Sequence, residues 1–366
     1  FAFDLDSDGT DEIYHLANPD ADHPFAVSKY QLERRDALTG ELLGSWPWPR
    51  PIDKSPSGMF RNFIFGGHAN GEPILVTAQG TYGGMKLQGW NKDMTRRWEY
   101  VIAPDSPGAR GSHMCPIVDF DSDGVDEVLW GERRIELDTG KELWCADREV
   151  YRGHTDIVQP FHFPVEDAWY VFTCREKDLP VKPRIATFDS DGKRIWGALD
   201  HGHIDTGWVA HLLDETDFVA MGVRIGGKTM GPDGLVRAGV ETFAYDARTG
   251  VPVTLPFDPY GTLPVDLNAD GIHELVHGIS HGNGNVIDGR GNLIGNVGGE
   301  VAFVGHWLDL PGEQIVSFDP TGMVRIWHDR NAVSNPKAER RYAHPYYRAN
   351  LRLSATGYNL INLSGL

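Results

Sequence analysis

The strongest constraint on the fold is a hairpin turn that recurs along the whole chain. Each copy places a strand-like run before a turn that begins with Asp or Asn and usually contains Gly, and a second run, often with Trp, after it. The copies begin at Asp36, Asn91, Asp138, Asp189, Asp246, Asp288 and Asp319. Asp, Asn and Gly tolerate the positive φ angles that tight hairpin turns require. The pattern therefore predicts an all-β chain of seven hairpins.

The spacing of these turns indicates which all-β architecture to expect. The average step between successive copies is about 47 residues, which suits one four-stranded propeller blade. The composition agrees, because 43 glycines, 23 prolines and 11 tryptophans favour short strands and tight turns. We predict a seven-bladed β-propeller that forms a single domain over residues 1–366. A large β-sandwich is the alternative, although it requires no such regular repeat.

Three acid-rich loops share the pattern D-x-[DN]-x-D-G-x-x-E. They read DLDSDGTDE, DFDSDGVDE and DLNADGIHE. Alternating oxygen ligands, a sharp bend at Gly and a closing Glu suit a hard cation such as Ca²⁺. The predicted calcium ligands are Asp4, Asp6, Asp8, Glu12, Asp119, Asp121, Asp123, Glu127, Asp266, Asn268, Asp270 and Glu274. A plain Asp/Gly turn is the alternative, and the strand-like flanks exclude a helix-loop-helix sensor.

Residues that carry a ring precede several of the apolar runs predicted as innermost strands. These residues are His68, His113, His154, His203 and Tyr260. Equivalent positions in successive blades converge on the central channel of a propeller. We therefore predict that the five rings line the channel mouth, with His68 contacting substrate and the other four taking part in catalysis.

Three further residues are candidates for substrate recognition. Arg224 lies between an apolar run and a Gly-rich loop, and its guanidinium fork matches a carboxylate. His281 lies in another Gly-rich loop that can approach a ligand closely. Trp208 is a candidate platform for sugar stacking. The alternatives are a surface role for Arg224, a structural role for His281 and a core position for Trp208.

These residue types favour one reaction over another. An imidazole-rich mouth with one arginine and no obvious pair of catalytic carboxylates disfavours ordinary glycoside hydrolysis. It suits β-elimination from a uronic acid. In that reaction a cation neutralises the sugar carboxylate, one His or Tyr removes the C5 proton, and a second protonates the leaving oxygen at C4.

Several motifs together resemble a known family. The loops DLDSDGTDE and DFDSDGVDE, the pair GSHMCPIVDFDSDG and GHTDIV, and the tail DPTGMVRIWHDRN followed by YYRANLRLSATGYN are similar to propeller polysaccharide lyases. These include rhamnogalacturonan lyases, ulvan lyases, and rhamnosyl-glucuronate lyases or rhamnosidases on the same scaffold.

The resemblance implies roles for particular residues. His113 and His154 correspond to the family histidines, Arg224 to the arginine that neutralises the carboxylate, and Tyr260 and His281 to later pocket residues. His203 stands where a tyrosine is expected. Which ring residue is the base and which is the acid therefore stays open.

The resemblance and the charge also indicate the partner. The family implies an acidic polysaccharide or oligosaccharide that contains L-rhamnose linked to a uronic acid, and we favour glucuronate. A formal net charge of −18 argues against nucleic acid and anionic membranes as partners. We expect a secreted protein, because calcium loops of this kind fill at extracellular calcium levels and polymeric glycans lie outside cells. We also expect a monomer. The alternative functions are a rhamnosidase and a non-catalytic, calcium-dependent glycan-binding propeller.

Overall fold

The computed structural model describes residues 1–20, 29–50, 52, 54–176, 182–214, 216–231, 234–279, 282–353 and 362–366. The chain divides into two compact units, Phe1–His154 and Thr155–Leu366, and each is described by itself. The single propeller domain over residues 1–366 stays a prediction. Among the described residues, no helix combines the length and the apolar character needed to cross a membrane.

The first unit consists of antiparallel meanders in which each strand pairs with the next one along the chain. The first is β1 (Ala2–Phe3), β2 (Glu12–Ala17), β3 (Gln31–Asp36) and β4 (Leu42–Pro47). After the short helix α1 (Pro56–Phe60) come β5 (Asn62–Ala69), β6 (Glu72–Gln79), β7 (Met85–Trp90) and β8 (Arg96–Ile102). The third is β9 (Ile117–Val118), β10 (Glu127–Leu129), β11 (Arg133–Glu136) and β12 (Glu142–Cys145).

The second unit continues the same pattern with one insertion. Its first meander is β13 (Thr155–Phe163), β14 (Ala168–Arg175), β15 (Ile185–Asp189) and β16 (Arg194–Ala198). The next sheet joins β17 (His203–Ala210), β18 (Val219–Ile225) and β21 (Glu241–Asp246). Between the last two strands, β19 (Gly227–Gly231) and β20 (Gly234–Ala238) form a separate hairpin.

Two further sheets and two helices complete the described part of the second unit. The sheets are β22 (Thr262–Val265), β23 (Glu274–His277), β24 (Asn285–Ile287) and β25 (Leu293–Asn296), then β26 (Glu300–Gly305), β27 (Gln314–Phe318) and β28 (Val324–Trp327). The helices are α2 (Pro336–Ala343) and α3 (Pro345–Leu353). Helix α2 begins where the Asn335 side chain accepts the Lys337 amide and Pro336 opens the first turn.

The predicted turns form for the reason that their residue types suggest. At the first turn, Asp36 Oδ1 accepts the amides of Leu38 (3.0 Å) and Thr39 (2.7 Å), and Gly40 takes a φ of 74°. Six of the seven turns join two paired strands. The turn at Asp246 closes only an isolated bridge between Tyr245 and Pro252.

These sheets confirm the all-β prediction. Four-stranded antiparallel meanders in chain order are the units from which propellers are built. Each unit has apolar clusters of its own. One in the first unit is centred on Phe3, Tyr14 and Leu32, and one in the second is centred on Trp208 and Val223. Closure into seven blades stays a prediction.

Candidate functional site

Two of the predicted rings meet in the first unit. The ring centroids of His113 and His154 lie 4.3 Å apart with an interplanar angle of 67°. Their side chains are almost fully buried, at 2% and 1% exposure. A glycine shortly before each histidine lets the backbone pass close to a neighbouring aromatic side chain. A Cβ at Gly111 would come within 2.9 Å of Trp130 Nε1, and one at Gly153 would come within 2.4 Å of the Tyr151 hydroxyl.

A third ring, from Tyr82, packs against these histidines. Its centroid lies 4.4 Å from that of His154 and 6.3 Å from that of His113, and Tyr82 is 41% exposed. We call Tyr82, His113 and His154 the ring cluster. Sequence reasoning missed Tyr82. The available signal was its position in GTYGG, where glycines let the chain approach a ligand closely.

A second group of polar residues surrounds His203 at the start of β17. His203 Nε2 lies 3.4 Å from Asp156, 3.2 Å from Asp205 and 3.8 Å from Glu176. Burial favours the neutral ring, but hydrogen bonding with Asp156 and Asp205 prevails and raises the pKa of His203 to about 9. The imidazole is therefore a cation at neutral pH and a proton donor rather than a base.

The inserted hairpin brings two further cations to the same carboxylate. Lys228 on β19 pairs in register with Arg237 on β20, and both side chains contact Asp205. The Asp205 side chain is only 3% exposed. Burial opposes its charge, but contacts from His203 and Lys228 hold its pKa well below the usual range. Sequence reasoning found neither Lys228 nor Arg237, because only the tertiary fold brings them to Asp205.

Arg224 on β18 pairs with Ile204, the residue after His203, and already has a carboxylate partner. Its side chain runs across Gly202, where a Cβ would come within 2.3 Å of Arg224 Cδ. Its Nε and Nη2 atoms are each 2.8 Å from Glu241, which faces it across the ladder. The guanidinium also lies over the ring of Phe243, 5.0 Å from the centroid. Glu241 is exposed to solvent, so this carboxylate is open to exchange with another.

Two predicted substrate contacts are corrected by the structure. Trp208 is 1% exposed, and its Nε1 donates to Thr262 Oγ1 at 3.1 Å, so it belongs to the core and the stacking prediction is wrong. His68 pairs with Pro73 near the end of β5, whereas Tyr82 follows Gln79, which pairs with the first residue of that strand. Six residues of strand span about 20 Å. His68 is therefore far from the ring cluster, contrary to its predicted place beside His113.

The remaining two predicted residues add little to the geometry. Tyr260 lies just before β22 and packs, partly buried, against the cluster that contains Trp208. Its amide donates to Asp258 Oδ1 at 3.0 Å. His281 lies outside the described residues. The catalytic role of Tyr260 and the substrate contact of His281 stay predictions.

The first two acid loops have donor sets that fit a divalent cation. The carboxylates of Asp4, Asp6 and Asp8 each offer an oxygen within 4.8 Å of the others. The carboxylates of Asp119, Asp121 and Asp123 do the same. In the first loop, Asp6 Oδ1 is buried, and no donor among the described residues reaches it. A buried carboxylate oxygen that accepts no hydrogen bond, such as Asp6 Oδ1, is available as a ligand for a hard cation.

The closing glutamates of these two loops contact arginines. Glu12 accepts from Arg34 Nη2 at 2.5 Å, and Glu127 accepts from Arg134 Nη2 at 2.6 Å. Each closing glutamate is thus held by an arginine on the third strand of its sheet, β3 or β11. Its additional role as a cation ligand stays a prediction.

The third acid loop is arranged differently. Asp266 Oδ2 accepts from Arg341 Nη2 of α2 at 2.7 Å. The Asn268 side-chain amide donates to Asp270 Oδ2 at 3.0 Å and to Glu274 Oε1 at 3.1 Å. Protein donors thus occupy oxygens that the sequence assigned to calcium, and these residues fit a cation less well than those of the other two loops.

Comparison with known proteins identifies the fold. No family model matches the sequence, and the search of curated proteins finds no match. Among solved structures, rhamnogalacturonan lyase YesW has a TM-score of 0.70 at 17% identity, covering 98% of this chain and 65% of its own. The Bacillus licheniformis rhamnogalacturonan lyase PL11 has a TM-score of 0.70 at 20% identity, covering 100% and 66%.

The chain has the fold of the rhamnogalacturonan lyases. It spans about two thirds of their length, at 65% and 66%. The Vibrio cholerae biofilm matrix protein Bap1 is a more distant match, with a TM-score of 0.52 at 12% identity, covering 92% of this chain and 77% of its own. The predicted resemblance to propeller polysaccharide lyases is therefore confirmed at the level of the fold.

Proposed function

We propose that this chain is the catalytic part of a polysaccharide lyase, built as a seven-bladed propeller, that cleaves a rhamnose–uronic acid bond by β-elimination. The ring cluster carries the proposal. Two buried imidazoles packed against a solvent-reaching phenol supply the kind of groups that remove and return protons. The fold shared with rhamnogalacturonan lyases supports the same reaction class. Glucuronate is the uronic acid that we favour.

The protonation of His203 limits the choice of base. A base must be able to accept the C5 proton, and an imidazole with a pKa of about 9 is already protonated at neutral pH. We therefore assign the base to the ring cluster and proton donation to the leaving oxygen to His203. Asp156 and Asp205 keep that imidazole charged.

Arg224 is assigned to the substrate carboxylate. Neutralising this group acidifies the C5 proton and stabilises the charge that develops in the transition state. Its present partner, Glu241, is 56% exposed, so solvent competes for this carboxylate. A uronate can thus compete with Glu241 for the guanidinium. Tyr260 and His281 are retained as further pocket residues on the sequence resemblance.

The remaining parts of the proposal concern calcium, assembly and location. We assign Ca²⁺ to the first two acid loops, with a structural role in joining strands, since the reaction steps above use only side chains of this chain. The protein is proposed to act as a monomer outside the cell, where polymeric glycans and millimolar calcium are found.

The test is an assay for two products. The purified protein with calcium is incubated in turn with ulvan, gum arabic and rhamnogalacturonan. Ultraviolet absorbance follows the unsaturated uronate, and a second assay follows new reducing ends. A rise in both with one polymer supports elimination and names the substrate. Reducing ends without absorbance indicate a rhamnosidase, and binding without either product indicates a glycan-binding propeller.

A further inference from the structure

The three acid loops differ in how their second acidic position is partnered. Asp6 in the first loop contacts Arg34 of β3, and Asp121 in the second contacts Arg134 of β11 at 3.1 Å. The third loop has Asn268 at this position. The third strand of its sheet, β24, reads Asn-Val-Ile and supplies no arginine. The third loop therefore lacks both the second acid and the arginine that contacts it in the other two loops.

The Asn268 amide takes over the contact that an arginine makes in the other loops. In those loops the arginine Nη2 atom bridges the second Asp and the closing Glu. In the third loop, Asn268 Nδ2 bridges Asp270 and Glu274, while its Oδ1 accepts the Asp270 amide at 2.8 Å. The opposite amide orientation would place Oδ1 against two carboxylates. The hydrogen-bond network therefore directs an N–H group, which cannot ligate a cation, towards the loop carboxylates.

A second difference concerns the first residue of the loop. Asp4 and Asp119 each accept two loop amides, and no described arginine contacts them. Asp266 accepts the corresponding amides of Asp270 (3.1 Å) and Gly271 (3.2 Å), and Arg341 in addition. The Asp266 and Arg341 side chains are 0% and 6% exposed. Arg341 is thus a buried cation in direct contact with the residue predicted to be the first calcium ligand.

A divalent cation and Arg341 compete for the same carboxylate. Arginine does not lose its proton in proteins, so Arg341 places a permanent positive charge on the first acid of the third loop. Arg34 and Arg134 instead contact the second and last acids of their loops, and no described arginine contacts the first. Glu313 lies 3.6 Å from Arg341 and accepts from Tyr347 Oη at 2.7 Å, which fixes the arginine in place. Arg341 thus supplies, as part of the chain, one of the two positive charges that a calcium ion would bring to Asp266.

We propose that the third acid loop binds no calcium: Arg341 takes the place of the ion at Asp266, and Asn268 takes the place of the arginine that bridges the loop carboxylates elsewhere. The loop then holds its shape at any calcium concentration and fastens helix α2 to its sheet. This inference is independent of the proposed lyase activity, because it concerns the metal content of the protein alone.

Metal content tests the proposal directly. Wild type and three variants are dialysed to equilibrium against calcium, and the bound ions are counted per chain by elemental analysis. Asp123→Asn in the second loop is expected to lose one ion relative to wild type. The matched variant Asp270→Asn in the third loop is expected to lose none. The double variant Asn268→Asp with Arg341→Met removes both substitutes and is expected to gain one ion.

The outcomes separate this inference from the assignment of calcium to the other loops. Loss of an ion in Asp270→Asn, or a double variant that folds in calcium without gaining one, overturns the inference. Wild type without calcium but a double variant with one ion supports the inference and contradicts the calcium assigned to the first two loops. Circular dichroism of each variant, with and without calcium, establishes folding. If the double variant unfolds, the Asp270→Asn count alone decides.

Discussion

The imidazole of His154 packs edge-on against the imidazole of His113, with 4.3 Å between the ring centroids. Both rings are almost completely buried, and only the Tyr82 phenol of the ring cluster reaches solvent. Buried rings in mutual contact have few alternative rotamers, so their nitrogens are held in place before substrate binds. This preorganisation is what a base near a weakly acidic carbon requires.

Removing a ring nitrogen from the cluster should therefore reduce elimination. His154→Gln is expected to lower kcat by about 10² or more, the contribution typical of general acid–base catalysis. The measurement is the initial rate of ultraviolet absorbance on the polymer found active. His15→Gln, at a part-exposed position on β2, is the control and should retain the wild-type rate. A His154→Gln protein with wild-type kcat would mean that the cluster is structural.

Substitutions of Arg224 and of its partner Glu241 should change KM in opposite directions. Arg224→Gln should raise KM for the acidic polymer about tenfold or more, because a charge-assisted hydrogen bond contributes roughly 1.5–3 kcal/mol. Glu241→Gln removes the competing carboxylate and should lower KM. The measurement is steady-state kinetics on the acidic polymer and on its neutral methyl ester. The comparison distinguishes recognition of the carboxylate charge from recognition of the sugar shape. Equal effects of Arg224→Gln on both polymers would contradict carboxylate recognition.

The His203 pKa predicts how stability depends on pH. The folded-state pKa of about 9 lies above the ordinary value near 6.5, so the stabilisation is complete below pH ~6.5 and disappears as the pH rises through about 9. The groups facing this ring are Asp156, Asp205 and Glu176, with Lys228 opposing its charge.

Urea unfolding at several pH values measures this dependence. The free energy of unfolding of wild type should fall between pH 6.5 and 9 more steeply than that of His203→Gln. His328→Gln, at an exposed histidine on the surface, should follow wild type. Parallel curves for wild type and His203→Gln would show that folding does not raise the pKa of this ring.

The sequence was sufficient to predict the features that depend on local chemistry. The Asp36 turn forms because one carboxylate oxygen caps two amides of the same turn, and such information is contained within a few residues. The same holds for the all-β class, because strand runs and turns follow directly from residue types. The pairing of His113 with His154 was also anticipated, since the two lie in equivalent positions ahead of strands.

Contacts between distant segments were not predictable in the same way. Lys228 and Arg237 reach Asp205 only because an inserted hairpin folds back, and nothing in the sequence near Asp205 indicates them. Arg341 reaches Asp266 across 75 residues, so a loop that matches the calcium pattern carries an internal cation instead. A sequence motif specifies which ligand side chains a loop contains. The tertiary structure determines whether a metal ion or a side-chain cation lies against them.

Trp208 shows how burial separates a core aromatic from a sugar platform, and it gives the last prediction. Its indole is 1% exposed and donates to Thr262 Oγ1 at 3.1 Å. Trp208→Ala should cost about 3–5 kcal/mol of folding free energy, because it leaves a large cavity. Trp208→Phe keeps most of the volume and loses the hydrogen bond, so it should cost less and leave KM for the polymer unchanged. Urea unfolding and steady-state kinetics on Trp208→Phe decide the matter. A raised KM with unchanged stability would show that Trp208 contacts the substrate. Reduced stability with unchanged KM would show that Trp208 is a core residue.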